Sequence, residues 1–188
     1  MKSIYLGPEV IVSDPCYTIP TWCQARVTDV LEGMYKTNVF KMYDHDWGTR
    51  CSYLVAIHQN YCHQDEKFKW TEYPATIGVD SGQAGIFSKE SYRNDDHQID
   101  IEPYDFRGNF DDSDPGEIWY RKMCSMTLSE DSFGSYNQGI VSSSGIGDGS
   151  YPLLVARKKG KIVGFIIDFF MEKKPYKKLI YEEFLTRI

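Results

Sequence analysis

Asp14, Asp80 and Asp148 occupy comparable places in the chain. Each follows a short apolar segment and is followed by small or turn-forming residues. In a β domain, strand exits cluster at the two ends, so three such carboxylates are candidates to converge. With Ser13, Ser81, Gln83 and Ser150 they would form a polar pocket, and Tyr17 and Tyr151 would supply aromatic walls. Pockets of this kind hold small ligands through a few placed polar groups over apolar surface. The bland alternative is that each aspartate caps its own turn with its side chain.

Four other patterns contain reactive residue types. The glycines at 145, 147 and 149 could cradle an anion with successive backbone N–H groups. A phosphate loop requires a helix immediately afterwards, and here a strand-like run follows, with Asp148 adding repulsion. Cys16 is a candidate nucleophile, but a reactive thiol needs a nearby cation or helix N-terminus, and its neighbour is Asp14. Cys62-His63 and Asp44-His45-Asp46 contain metal-ligand types without a second pair at zinc spacing. The segment 111–116 lacks the glycine and distal glutamate of a calcium loop. Neither metal nor cofactor is expected.

Composition limits the functional classes. The chain has 188 residues, 26% charged and 41% hydrophobic, which suits one folded domain spanning 1–188. The formal charge of −6 argues against general nucleic-acid binding, which needs a basic face. Five cysteines, an odd number without a CxxC pair, read as reduced thiols. No signal-peptide pattern opens the sequence and no apolar run reaches membrane-spanning length. The expected location is the cytoplasm, with no membrane partner; oligomeric state is not legible.

The elements that must position these residues read mainly as β. Aromatics make up 15% of the chain and favour pleated surfaces. Strands are expected at 4–12 with a bend at Gly7-Pro8, in two pieces across 26–43, at 53–57, at 76–79, at 84–87 and at 117–128. Pro20-Thr21-Trp22 could open a short helix, and 88–92 one helical turn. The clearest pair is 151–157 and 162–169, joined by Lys158-Lys159-Gly160-Lys161. Both faces of that hairpin are apolar, so it should be central and covered on both sides. Residues 94–117 hold nine acidic side chains against one arginine and read as a surface excursion. After Pro175, apolar spacing predicts a short C-terminal helix over 176–188. With no βαβ alternation, the expected fold is an antiparallel β sandwich or barrel with minor helix.

The segments SDPCY at 13–17, GVDSGQAGIF at 78–87 and GDGSYPL at 147–153 together resemble a group of small uncharacterised proteins of bacteria and their phages. That group is similar to a bacterial family of unknown function with the same order of segments. The likeness covers the ends and the centre of the chain, and leaves out 18–70 and 90–135. It implies one β-rich domain and a bacterial or phage origin, hence the host cytoplasm if phage-encoded, and no activity.

The expected function is therefore non-catalytic binding of a small polar ligand, with a nucleotide or nucleotide-derived signal as its most specific form. Turnover is not favoured because no base with an orienting partner can be named. One alternative is a hydrolase or transferase using Asp14, Asp80 or Asp148 with a divalent cation. The other is an interaction protein that blocks a host partner through the acidic stretch.

Overall fold

A computed structural model describes residues 1–62, 68–94 and 113–170. Two antiparallel sheets pack face to face. The larger carries β1 (Lys2–Leu6), β4 (Gly33–Asp44), β5 (Gly48–His58), β11 (Lys161–Asp168), β10 (Gly149–Lys158) and β6 (Trp70–Val79), in the order β1-β4-β5-β11-β10-β6. The smaller has the order β3-β2-β7-β9-β8, formed by β2 (Val10–Ser13), β3 (Ala25–Val27), β7 (Gln83–Ser88), β8 (Phe133–Tyr136) and β9 (Gly139–Ser143). The expected sandwich is the observed architecture.

The β10–β11 hairpin illustrates the local causes. Its two-residue loop places Lys159 at φ 49° and Gly160 at φ 80°, so Lys158 pairs directly with Lys161. Two successive positive φ values match the twist of the flanking strands. Leu153, Val155, Phe165 and Ile167 point into the core between the sheets. Leu154, Ala156, Val163 and Ile166 join a second apolar cluster with Phe40, Tyr53, Val55, Ile57 and Phe68. The hairpin is thus buried on both faces, as its lack of polar alternation predicts.

The open sides of the sandwich are linked. On one side the Cys23 carbonyl accepts from Gly78 N at 3.0 Å, and Tyr73 donates its hydroxyl to the Arg26 carbonyl. This covers β6, an edge strand that also carries Pro74, a residue suited to edges because it removes a ladder donor. On the other side the Lys2 ammonium lies 5.5 Å from the Phe133 ring centre.

The segment 117–128, expected as a strand, is the helix α1 (Pro115–Thr127). Asp114 caps it by accepting from Gly116 N at 2.7 Å, and Pro115 supplies a pre-set φ in its first turn. Its buried Trp119, Met123 and Cys124 recur at helical spacing. Trp119 and Met123 pack with Ile11, Phe87, Tyr92, Tyr136 and Val141 on the outer face of the smaller sheet. The aromatic and β-branched content suggested a strand; the cap and the three-to-four spacing decide for helix. The helix expected from Pro20 is also absent. There the Gln24 side chain accepts from Thr21 N and donates to Ser13 Oγ, so side-chain bonds hold a pair of turns instead. A single 3-10 turn at Lys89–Ser91 matches the expectation for 88–92. Residues 95–112 of the acidic excursion and the expected helix at 176–188 lie outside the described residues.

Phe87 lies flat over two glycines. A Cβ on Gly85 would fall 2.2 Å from its ring and 2.5 Å from the Ile140 carbonyl oxygen, and one on Gly139 would fall 2.3 Å from the ring. Their bare backbones let Phe87 lie low enough for Trp119 to meet it edge-on at 5.0 Å. Gly85→Ala is expected to cost about 3 kcal/mol, the upper end for overpacking, because the carbonyl has nowhere to move. Urea denaturation of the variant measures it, and an unchanged midpoint would contradict the close approach.

Candidate functional site

Strand registers bring the three aspartates to one end. Ser13, the last residue of β2, pairs with Gly85 on β7, and Gln83 pairs with Ser143 at the end of β9. Gly149, the first residue of β10, pairs with Val79 at the end of β6. The chain crosses between sheets twice here, at 80–82 and at 144–148, and Ser144 N donates to the Gly82 carbonyl at 3.0 Å. Asp14 follows β2, Asp80 opens the first crossing, and Asp148 closes the second.

The three carboxylates have different surroundings. Asp14 is 0% exposed. Its Oδ1 accepts from Cys16 N at 2.8 Å and from the Ser81 hydroxyl at 2.6 Å. Its Oδ2 accepts from Asp80 N at 2.9 Å and from Ser81 N at 2.7 Å. Four donors therefore satisfy one buried anion, as the desolvation of a charge requires. An anion-holding pair of backbone N–H groups exists at this end at 80–81, and the protein's own carboxylate fills it, while in the glycine segment Gly147 N donates to the Ser144 carbonyl at 3.1 Å.

The neighbouring turn is clamped as well. Arg93 donates to the Pro15 carbonyl at 3.0 Å and the Cys16 carbonyl at 3.3 Å, and pairs with Glu117 on α1 at 2.8 Å. The Tyr92 hydroxyl donates towards the carbonyls of Asp14 and Tyr17. Burial, and then the charge of Asp14, push the Cys16 thiol far above its ordinary range. This disfavours the thiolate that a cysteine nucleophile requires.

Asp80 and Asp148 are exposed. The Tyr17 hydroxyl donates to Asp80 Oδ2 at 2.5 Å, and Gly82 N donates to Asp148 Oδ1 at 3.1 Å. Burial and the hydrogen bond to Asp80 raise the Tyr17 hydroxyl, keeping it a donor. Asp80 thus belongs to the three-residue crossing that Asp14 holds, and Asp148, on the second crossing, is tied to it through Gly82 N. Cys23 packs on Gly78, which pairs with Ser150, and places the 92% exposed Trp22 beside this end.

The other expected site residues divide. Ser81 belongs to the cluster through Asp14, and Ser150 is exposed one residue from the Gly149–Val79 pair. Gln83 is buried and turned towards α1, where it donates to Cys124 Sγ at 3.2 Å and accepts from the Thr127 hydroxyl at 3.1 Å. Tyr151 is 2% exposed, and its hydroxyl donates to the carbonyls of Ser144 and Gly147. It pins the glycine turn from inside and offers no stacking wall.

Sequence reasoning missed Arg93, Trp22 and Tyr120. The Tyr120 hydroxyl lies near Ser81 and Cys124, which brings α1 against the crossing. Reading Asp114-Pro115 as a helix start would have placed Tyr120 and Cys124 on one face. Nothing local marks Arg93, whose partners are turn carbonyls far away in the chain.

Chemically, the end of the domain offers hydrogen-bond acceptors to solvent. Asp80 Oδ1 and Asp148 Oδ2 have no partner among the described residues. No group of three or more His, Cys, Asp or Glu suited to a metal ion occurs among the described residues, and no helix there is long and apolar enough to cross a membrane.

Asp14→Asn replaces an acceptor oxygen by an NH2 group facing donors, and is expected to lower stability by about 3 kcal/mol, the scale of a lost charge-assisted bond plus an unsatisfied group. Asp80→Asn, at the surface, is expected to change it by less than about 0.5 kcal/mol. Paired denaturant titrations measure both, and equal effects would remove the distinction drawn between the buried and outer carboxylates.

Compared with known proteins, the chain matches no family model, no curated protein and no solved structure.

Proposed function

We propose that the protein binds a small polar ligand, without transforming it, at the end of the sandwich where the turns at 14–17, 80–82 and 146–150 meet. The observation that carries this reading is the joint fixing of two exposed carboxylates. Asp80 is oriented by Tyr17 and Asp148 by Gly82 N, on a crossing made rigid by the buried Asp14. Preorganised acceptors lose little freedom on binding, which favours recognition. Trp22 adds an exposed aromatic face nearby.

The chemistry of the site selects the ligand's groups. Carboxylates recognise donors, so the ligand presents amino, guanidinium or hydroxyl groups. Within a nucleotide or nucleotide-derived signal, base amino groups and ribose hydroxyls meet that demand. Phosphates do not, because two negative charges lie at the site and the N–H groups at 80–81 are already taken. Binding is preferred over hydrolysis or group transfer because the buried carboxylate is spent on structure and no histidine approaches this end among the hydrogen bonds described. The alternative of an acidic blocking surface concerns 94–117, of which only 94 and 113–117 are described.

The test begins with purified protein equilibrated with cell extract, washed and denatured, and the released small molecules identified by mass spectrometry. The expected result is an unaltered compound rich in hydrogen-bond donors. Asp80→Asn and Asp148→Asn are each expected to weaken its binding by roughly tenfold to a hundredfold, the worth of a hydrogen bond to a charged group. Titration calorimetry measures this. Recovery of a chemically altered compound, or affinity unchanged in both variants, would refute the reading.

A further inference from the structure

His58 stands at the opposite role from the aspartates, as a buried base at the end of β5. It is 4% exposed. The backbone N–H of Asn60 donates to its Nδ1 at 3.2 Å, so the ring caps the 3-10 turn Gln59–Tyr61. A backbone N–H can only donate. Nδ1 must therefore carry a lone pair, and the ring is neutral with its proton on Nε2. That second nitrogen lies against the 32–33 backbone, where a Cβ on Gly33 would fall 2.6 Å from Nε2. Tyr35 and Tyr61 enclose the ring edge-on, at 5.2 and 6.0 Å between centres.

Nδ1 is thus committed as an acceptor, and Nε2 faces the 32–33 backbone. A second proton would have to enter at Nδ1, where the Asn60 N–H already points. Two donors would then face each other, and the cap would be lost. The turn held by that cap carries Tyr61 and Cys62, which pack against the outer apolar cluster around Ile57 and Phe68.

We propose that His58 is an acid-sensitive clasp, whose second protonation releases the turn at 59–62 and uncovers this edge of the apolar cluster. The surroundings do little to favour the extra charge. From β4 the ring faces Tyr35, whose hydroxyl donates to the carbonyls of Leu31 and Ile162, and Lys36 stands next in the strand, its charge felt at Cys62. From the link before β4 comes Glu32, whose carboxylate accepts from Tyr5. From the turn itself come Tyr61 and Cys62, and burial raises that thiol to about 11. β11 holds no titratable group between Ile162 and Ile167. Burial lowers the basicity of His58 from the ordinary value of 6.5, in agreement with the geometry.

The sign follows from linkage. The released turn exposes a histidine of ordinary basicity, whereas the closed turn holds one that resists protonation. The closed form is therefore fully favoured above pH 6.5, and is lost as pH falls below that value. Opening should rise about tenfold per pH unit in that window, until the closed form itself protonates.

Amide hydrogen exchange of the whole chain, followed by NMR and corrected for intrinsic rates, tests this. Between about pH 7.5 and about pH 5, the protection of the Asn60 amide is expected to fall at least tenfold. In His58→Asn, whose side-chain oxygen can cap without titrating, the fall is expected to vanish. In His45→Asn, at the β4–β5 turn, it is expected to persist. Protection unchanged across that range, or an equal fall in His58→Asn, overturns the proposal. Should His58→Asn fail to fold, long-range nitrogen–proton correlations of the native imidazole serve instead. Loss of the Nε2–H tautomer must then coincide with loss of Asn60 protection, and a titration without that coincidence also overturns it.

Discussion

One carboxylate holds the end of this molecule together. Asp14 is withdrawn from water and accepts four hydrogen bonds from the turn after β2 and the crossing from β6 to β7. An isolated buried charge would be prohibitively costly, so its presence forces the chain to bring donors to it. Those donors come from two turns, one leaving the smaller sheet and one joining the larger sheet to it. The bond set therefore fixes where the smaller sheet ends relative to the larger, and with it the positions of Asp80 and, through Gly82, Asp148. Removing the charge would leave backbone N–H groups without acceptors, which is why the buried aspartate and the turn depend on each other.

The same end is braced from outside. Arg93 ties the turn at 15–16 to the first turn of α1, and Tyr120 brings that helix to Ser81. The helix in turn rests on Phe87, which lies low because Gly85 and Gly139 have no side chains. A continuous run of contacts leads from packing on the smaller sheet to the orientation of the outer carboxylates. The positions of the exposed groups at the proposed binding end are thus set by contacts of the fold itself.

Much of the architecture was legible in local sequence. The β10–β11 hairpin announced itself through two unbroken apolar runs around Lys159-Gly160, whereas the meeting of three strand-ending aspartates was one of two readings open to the sequence, beside three separate turn caps. The helix α1 was misread because Ile118, Trp119 and Tyr120 look like strand residues one by one. Their burial at helical intervals depends on the aromatic surface of the smaller sheet, which no local window contains. Gln83 and Tyr151 were placed in the right neighbourhood but facing the wrong way. Each lies on a buried strand position, and which side of the strand carries the free surface is settled by what packs there.

By itself, the sequence determined the class of fold, the strong hairpin, the turn positions of Asp14, Asp80 and Asp148, and the unreactive character of Cys16 beside an aspartate. These are local consequences of periodicity, φ preference and neighbouring charge. Tertiary structure alone decided that one of three similar aspartates is a buried structural anion while two face solvent. It also decided that the anion-binding N–H groups lie at 80–81 and are already filled, and that His58 is held as a neutral cap. The reason is common to all three. Burial and hydrogen-bond partnership are set by residues distant in the chain, and for a charged or titratable side chain those two quantities outweigh its identity.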